Sequence, residues 1–529
     1  MRMMIMVIAL LFANDAQTQS PPLTQWQYIY GGSNADVGYC ISATSDGGYV
    51  ATSTTQSSDG DVTGHQGGID VWVTKLNVEG LIEWQRCYGG SLSEPYSNTI
   101  LEAPGGGYMV GSTTFSYDGD ITCPAKGGRI WLVRIDASGE VIWDLCPAGV
   151  SSSSIGSITT TSDGDWLICG GTWAVDQDGC GNGQMDLWMA RVSDSGQVLW
   201  SRCYGGSHED RANHVTHTSD GGFVLTGSSR SNDGDLSGVN PYSMPPAPAS
   251  TGWVLKVDAE GSQQWQHCYG GSMNDHFTMI QEAVDGSFWV LGITQSNDGH
   301  VSGNNGSEDG WVLRLDSNGE LLDQRCVGGS GNDRMYDLHL LDNGSVVTSG
   351  YTFSDDGDVT EPIGLSDAWI MELDPDLSLV WEQTYGGTDH DLWNSIERAP
   401  DGGVVLLGNS YSNDGDLDEF TNHGSADVWL LKLAPWEHTG VEDAANATAG
   451  IQLYPNPTAG TLQVAFGGLH GEGWQLQIMD ALARVVHTTA TVYASQTTIT
   501  LSTHALAPGT YALRLHRNGE AHVRRFVKQ

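Results

Sequence analysis

Between Trp26 and Leu433 the chain is written in short apolar runs broken by turns of Gly, Asp, Ser and Pro. The second of its repeats shows the unit. Tyr96 to Ala103 reads as a strand (A), Pro104-Gly105-Gly106 turns the chain, and Gly107 to Thr114 reads as a second strand (B). After a loop that starts at Phe115, Arg129 to Asp136 forms a third strand (C), and a turn through Gly139 leads into Val141 to Cys146 (D). Runs of this length, rich in Val, Ile, Trp and Tyr and separated by glycine turns, are antiparallel hairpins. Beyond the first twenty residues no stretch has helical periodicity.

Each unit ends on the phrase W-x-x-x-Y-G-G, as in Trp26 to Gly32 and Trp84 to Gly90. Its first glycine position falls at 31, 89, 148 (an Ala), 205, 270, 328 and 386, so the period is 57 to 65 residues. A fixed period with strands inside it is one supersecondary unit stacked repeatedly. Four-stranded units closed in a ring make a β-propeller. The array opens on a D-type strand, Trp26 to Tyr30, and finishes on A, B and C strands (Leu392 to Ala399, Gly403 to Ser410, Asp427 to Leu433). The orphan D strand can complete the last unit and remove the open edges. The expected fold is all-β: a seven-bladed propeller with the N-terminal strand closing the last blade.

The tryptophans follow the same period. Trp72, Trp131, Trp188, Trp253, Trp311, Trp369 and Trp429 hold one position of strand C, and six more hold one position of strand D. Regular recurrence assigns them to packing between blades. Cys87, Cys146, Cys203, Cys268 and Cys326 share a strand-D position, filled elsewhere by Ile29 and Thr384. They are read as small buried residues, because equivalent sites in neighbouring blades lie too far apart to bridge. Cys123 and Cys180 sit in B–C loops of adjacent blades, and a Cys123–Cys180 disulfide is the expectation there.

Residues 1–20 have the form of a signal peptide: Arg2, an apolar run from Met3 to Ala13, then a polar stretch. The propeller is assigned to 21–436, a linker to 437–450 and a last domain to 451–529. The formal charge is −42, yet residues 445–529 carry about +3 by count, so the body is strongly acidic. Such a body is a poor direct partner for nucleic acid or anionic lipid. A monomer is expected.

The last domain opens on Tyr454-Pro455-Asn456-Pro457, turns at Gly460, passes through a middle strand and ends on Gly509-Thr510-Tyr511 and a basic strand to Lys528. This pattern closely resembles the type A C-terminal sorting domain of the bacterial type IX secretion system. The resemblance implies a small β-sandwich read by an outer-membrane translocon and removed by a sortase-like protease. It implies export across both membranes of a Gram-negative cell, with the propeller as cargo at the surface or released.

In a propeller blade the D–A and B–C loops share one face, and both acidic motifs fall there. The B–C loops carry S-x-D-G-D, at Asp59/Asp61, Asp118/Asp120, Asp233/Asp235, Asp356/Asp358 and Asp414/Asp416, with Asp298 and His300 in blade 5. The D–A loops carry G-G-S/T-x-x-D, and Asp36, Asp210, Asp275, Asp333 and Asp391 are the candidate ligand-binding residues, with Glu94 near by. Asp70, Asp186, Asp309, Asp367 and Asp427 open strand C. A face this acidic suits calcium, which takes six to eight oxygens in loose geometry. The competing reading is turn chemistry, with Asp capping backbone and Gly taking positive φ. The irregular third blade supplies the metal candidate, Asp176, Asp178, Asn182 and Asp186, and blade 4 carries a Pro-rich insertion from Ser237 to Gly252.

The motifs H-E-x-x-H, G-x-S-x-G and C-x-x-C are missing, as is a phosphate-binding glycine loop. The expected function is therefore a non-catalytic exported propeller that binds a glycan or protein, with calcium as the one cofactor considered. The alternative is a secreted polysaccharide-active enzyme with its site at the channel mouth.

Overall fold

The computed structural model describes residues 19–123, 128–147, 153–173, 180, 184–236, 249–420 and 422–436, and seven strands with adjoining residues between 451 and 528. The expected signal peptide (apart from Gln19 and Ser20), the linker and most of the Pro-rich insertion lie outside the described residues. The chain divides into two compact units, Met1–Trp436 and Glu437–Gln529.

The first unit is a seven-bladed propeller of four-stranded antiparallel sheets. Blade 1 runs Asp36–Ala43 (A), Tyr49–Thr55 (B), Asp70–Leu76 (C) and Ile82–Tyr88 (D). The A strands of blades 2 to 7 are Tyr96–Glu102, Ser153–Thr160, Asp210–His217, Asp275–Glu282, Asp333–Leu340 and Asp391–Arg398. Each A strand touches the A strands of both neighbouring blades, so they form the inner wall of the ring. Thr24–Tyr30 pairs antiparallel with Asp427–Leu433 and supplies strand D of blade 7, as the repeat pattern requires.

The core explains the aromatic period. The seven strand-C tryptophans are at most 3% exposed. Their indole N–H groups need acceptors once buried. In six blades the residue after the strand-D tryptophan position provides one: Trp72 donates to Gln85 at 2.8 Å, Trp253 to Gln266 at 3.0 Å, Trp311 to Gln324 at 2.8 Å, and Trp131, Trp369 and Trp429 to Asp144, Glu382 and Gln27. On the opposite face, a strand-C cation grips the A–B turn, as Lys75 does with Asp46 (2.9 Å), Lys256 with Asp220 (2.9 Å) and Lys432 with Asp401 (2.9 Å).

Every A–B pairing slips register once within strand A. The extra residue of a bulge re-aims its side chain. In three blades that residue bonds the next A strand: Asn213 donates to the Phe277 carbonyl (2.7 Å), Thr278 to that of Met335 (3.3 Å), and Asn394 to that of Gly38 (2.7 Å). The bulges thus stitch the inner ring together.

The cysteines differ from expectation. Cys123 bonds Cys146 and Cys180 bonds Cys203, with Cα separations of 6.0 and 5.2 Å, so no Cys123–Cys180 bridge forms. In these two blades the B–C loop cysteine meets the strand-D cysteine position of its own blade, and not the loop of the next. Cys87, Cys268 and Cys326 stay free and buried, as expected of small core residues.

The second unit holds two antiparallel sheets. One is Ile451–Tyr454, Thr461–Phe466 and Thr498–Ser502; the other is Val485–Thr488, Gln475–Met479, Gly509–Arg517 and Glu520–Lys528. Among its described residues Leu462, Val464, Leu476, Ile478, Leu501 and Leu513 are buried hydrophobic ones, each at most 4% exposed. Gly509 pairs with Lys528 and Tyr511 with Phe526 across the last hairpin. Pro455, Asn456 and Pro457 lie outside the described residues.

Non-reducing peptide mapping should recover linked peptides 123–146 and 180–203. Each bridge closes a 23-residue separation, so replacing both cysteines of one pair by serine should cost about 3 kcal/mol in denaturant unfolding.

Candidate functional site at the channel mouth

The acidic motifs are first of all the fastening of the blades. Asp36, Asp210, Asp275, Asp333 and Asp391 are 0% exposed. Each accepts the N–H of the second glycine of its Tyr-Gly-Gly or Val-Gly-Gly loop, at 2.7 to 2.8 Å. The same carboxylates accept the serine hydroxyl of the S-x-D-G-D loop: Ser57, Ser231, Ser296, Ser354 and Ser412, at 2.7 to 2.8 Å. The first Asp of S-x-D-G-D caps the other loop rather than its own. Asp59, Asp118, Asp233, Asp298, Asp356 and Asp414 accept the N–H of Ser33, Ser91, Ser207, Ser272, Ser330 and Thr388 at 2.6 to 2.7 Å. The five candidate ligand-binding carboxylates therefore sit inside the clamp between two loops and turn their oxygens to backbone and hydroxyl donors.

The aspartates that open strand C are also buried, Asp70, Asp309 and Asp427 at 0% and Asp186 at 1%. Burial first, then neighbouring carboxylates, pushes Asp70, Asp309 and Asp427 up to about 6. Of the blade 3 metal candidates, Asp176, Asp178 and Asn182 lie outside the described residues. Among the described residues no group of three or more His, Cys, Asp or Glu side chains closes as a metal cluster.

The central feature of the loop face is the rim of the channel. One residue follows strand B in each blade: Gln56, Phe115, Trp173, Arg230, Gln295, Phe353 and Tyr411. In six blades its N–H donates to the carbonyl of the residue before the loop acid or its equivalent, at 2.9 to 3.1 Å, as Phe353 does to Asn332 and Tyr411 to His390. This fixes six of the seven side chains around the mouth. Phe115, Trp173, Phe353 and Tyr411 are 40%, 42%, 47% and 40% exposed, a high value for large rings. In blades 6 and 7 they extend into a string of rings: Tyr336, Tyr351, Phe353, His390 and Tyr411, with successive centroids 5.8, 5.6, 5.8 and 6.4 Å apart.

One guanidinium group, that of Arg334, stands beside the Tyr336 and Tyr351 end of this string. Arg211 and Arg334 occupy the second, half-buried position of their A strands on the inner wall, and Arg230 belongs to the rim. Arg334 donates to Glu308 at 2.6 Å, and Gln295 donates to the same carboxylate at 2.7 Å. Arg211 pairs with Glu209, which lies 4.0 Å from Arg230. The side chains of Arg211, Arg230 and Arg334 are 43%, 43% and 38% exposed. His276, between Arg211 and Arg334 in chain order around the ring, is pushed down to about 4 by burial and by those two cations. It is neutral at pH 7. Deeper in the ring, burial raises Asp337 to about 6 and Glu397 to about 7. The sequence motifs pass over the rim because its seven positions hold Gln, Phe, Trp, Arg and Tyr; the signal available was a variable column in an otherwise constant repeat.

Residues 452–529 match the model of the secretion system C-terminal sorting domain family. The C-terminal unit is a type IX secretion sorting domain. The propeller is its cargo, and the sorting domain marks the chain for export to the cell surface or extracellular space. Its presence implies interaction with the type IX secretion machinery. The regulatory protein FlaEY of Caulobacter vibrioides is 23% identical over 271 residues, covering 49% of this chain and 27% of that protein. Among solved structures, the Neurospora crassa Pan2 WD40 domain is similar with a TM-score of 0.40 at 11% identity, over 77% of this chain and 90% of that one. A polysaccharide lyase, an ulvan lyase, gives 0.46 at 10% identity, over 77% and 95%. A puromycin hydrolase gives 0.42 at 14% identity, over 85% and 62%.

The buried acids set a pH dependence with two signs. Asp70, Asp309, Asp427 and Asp337 titrate near 6 when folded and near ~3.9 when unfolded. A raised folded value means the native state takes protons first, so stability rises as pH falls from neutral through 6 towards ~4. Asp46 and Asp220 are held at about 2, against burial, by Thr44 and Thr218, loop N–H groups and the Lys75 and Lys256 ammonium groups. Their contribution is lost as pH falls below ~4. His214, His276 and His339, pushed down to about 4 chiefly by burial, oppose that gain between ~6.5 and ~4, so in chelating buffer the melting temperature should change little from neutral pH to about pH 5 and fall towards about pH 3, checked by calorimetry.

Proposed function

We propose that this protein is an exported, non-catalytic propeller that binds an acidic glycan across the channel mouth. One observation carries the reading: the ring string Tyr351–Phe353–His390–Tyr411, exposed at Phe353 and Tyr411, has Arg334 at its Tyr351 end and shares the rim with Arg230. Sugar rings present apolar C–H faces that stack on aromatic side chains. Carboxylate or sulfate groups on such a glycan match the planar fork of arginine. In a chain of net charge −42, a part-exposed guanidinium group beside aromatic rings, with two more on blade 4 of the same ring, favours an anionic ligand over a neutral one.

The polysaccharide-active enzyme remains the second reading, and its site would be the same mouth. The protonation states there favour binding. Arginine and glutamine hydrogen bonds hold the Glu308 carboxyl below its usual range, against burial, and His276 is neutral and enclosed. A salt-bridged, ionised carboxylate is a weak proton donor. Export across both membranes of a Gram-negative cell and cleavage of the sorting domain within 437–450 complete the proposal, with an outer-membrane translocon and a sortase-like protease as partners.

Calorimetric titration of the full chain with uronate-rich, sulfated and neutral polysaccharides tests this. Acidic polymers should bind, with affinity falling as salt rises. Arg334→Ala or Phe353→Ala should weaken binding by roughly tenfold, about 1.4 kcal/mol. Binding of neutral polymers alone would remove the charge argument. Accumulation of new chain ends on incubation would establish the enzyme instead.

A further inference from the structure

Strand D is the outermost strand of each blade, and the repeat places the same two charged groups along the seam between it and the next blade. Two residues before the end of strand D stand Arg86 in blade 1, Arg202 in blade 3 and Arg325 in blade 5. Across the seam stands the second Asp of S-x-D-G-D in the following blade: Asp120, Asp235 and Asp358. In all three, Oδ2 of the aspartate accepts the N–H of the glycine that follows strand D, from Gly89 at 3.2 Å, Gly205 at 3.0 Å and Gly328 at 3.2 Å.

Between blades 5 and 6 the two groups meet. Arg325 donates to Asp358 Oδ1 at 2.7 Å and to the Leu377 carbonyl at 2.9 Å. At the other two seams they stay apart. Arg86 turns to Glu140 in the C–D turn of blade 2, and Asp120 Oδ2 accepts the Gln66 side-chain amide at 2.6 Å. Arg202 donates from Nε to the Glu260 carbonyl at 2.9 Å and leans over Trp200, 5.9 Å from the ring centroid. A cleft opens at each of these two seams. One of about 580 Å³ is walled by Arg86, Asp120 and Glu140, and a narrower one of about 290 Å³ by Arg202, Asp235 and Gln263.

The larger cleft holds unused hydrogen-bonding capacity of both kinds. Among the described residues, Arg86 Nε and Nη1 have no acceptor, and Asp120 Oδ1 and Gln66 Oε1 have no donor. Val141, 41% exposed, adds an apolar edge. The walls carry one cation against two carboxylates, so a further carboxylate or sulfate is repelled. A hydroxyl both donates and accepts. Neighbouring hydroxyls of a sugar can accept from Arg86 and donate to Asp120 and Gln66, while its C–H face covers Val141.

We infer that the seam between blades 1 and 2 is a binding site for a neutral saccharide residue, with Arg86, Asp120 and Gln66 as its hydrogen-bonding groups. Its volume falls in the range of small-molecule sites, roughly 300–1,000 Å³. The cleft between blades 3 and 4 falls below that range and is left out of the assignment. The site lies on the outer side of the ring, away from the channel mouth, and does not rest on the acidic-glycan reading.

The test uses the full chain with a panel of neutral methyl glycosides and disaccharides, read by saturation-transfer NMR and calorimetric titration. At least one should bind, with an affinity that salt leaves unchanged. Arg86→Gln and Asp120→Asn should each weaken that binding by roughly tenfold. Gln66→Ala, at an exposed side chain, should weaken it as well, and covers the case in which a changed Asp120 unsettles the loop it caps. Excess uronate-rich polymer should not displace the glycoside. Absence of binding across the panel at tens of millimolar overturns the inference. So does binding that all three variants keep at parental strength. Displacement by the acidic polymer would put the sugar at the mouth and overturns it too.

Discussion

The ring depends on a buried carboxylate at the start of strand A. In five blades this aspartate takes one loop N–H and a serine hydroxyl from a loop 21 residues away. Its own N–H donates to the preceding blade, as Asp36 does to Ala426 and Asp210 to Met185. One residue thus ties two loops of its own blade and the edge of its neighbour. A buried charge is tolerated only when hydrogen bonds surround it, so the Gly-Gly and Ser-x-Asp-Gly-Asp motifs travel with it. Blade 3, which has lost the Tyr-Gly-Gly phrase, has also lost the aspartate, and Ser153 holds its place with an N–H to the Gly128 carbonyl.

That fastening leaves the rest of the loop face free to vary. The backbone of the rim residue is pinned in the same way in six blades, while its side chain is Gln, Phe, Arg, Gln, Phe and Tyr in turn. A rigid scaffold with one variable side chain per blade is how a symmetric ring presents an asymmetric surface. Rim aromatics stand in blades 2, 3, 6 and 7, and the guanidinium groups in blades 4 and 6. The sorting domain adds delivery to this surface. Its implied export agrees with disulfides in blades 2 and 3, which persist in oxidising compartments.

The acidic character of the chain takes on a different meaning in three dimensions. Net charge −42 suggests a face covered in carboxylates. Many of them are instead inside the loop clamp or at the junctions between blades, where they organise backbone. Fewer negative groups remain at the mouth itself, and there arginines and rings are gathered. Electrostatic character read from composition averages over positions that folding separates.

By itself the sequence determined the four-strand unit, the number of blades, the closure by the N-terminal strand and the C-terminal address. All four rest on period, turn residues and local motifs, which are one-dimensional properties. Tertiary structure alone decided which acids face solvent, because Asp36 and its partner Ser57 belong to separate loops and each reads locally as a turn residue. It decided the disulfides, since Cys123 reaches Cys146 only when its loop folds back over its own blade. It also gathered Arg334, Tyr351, Phe353 and His390 at one mouth. Those residues share no spacing or motif, and only the closing of the ring makes them neighbours.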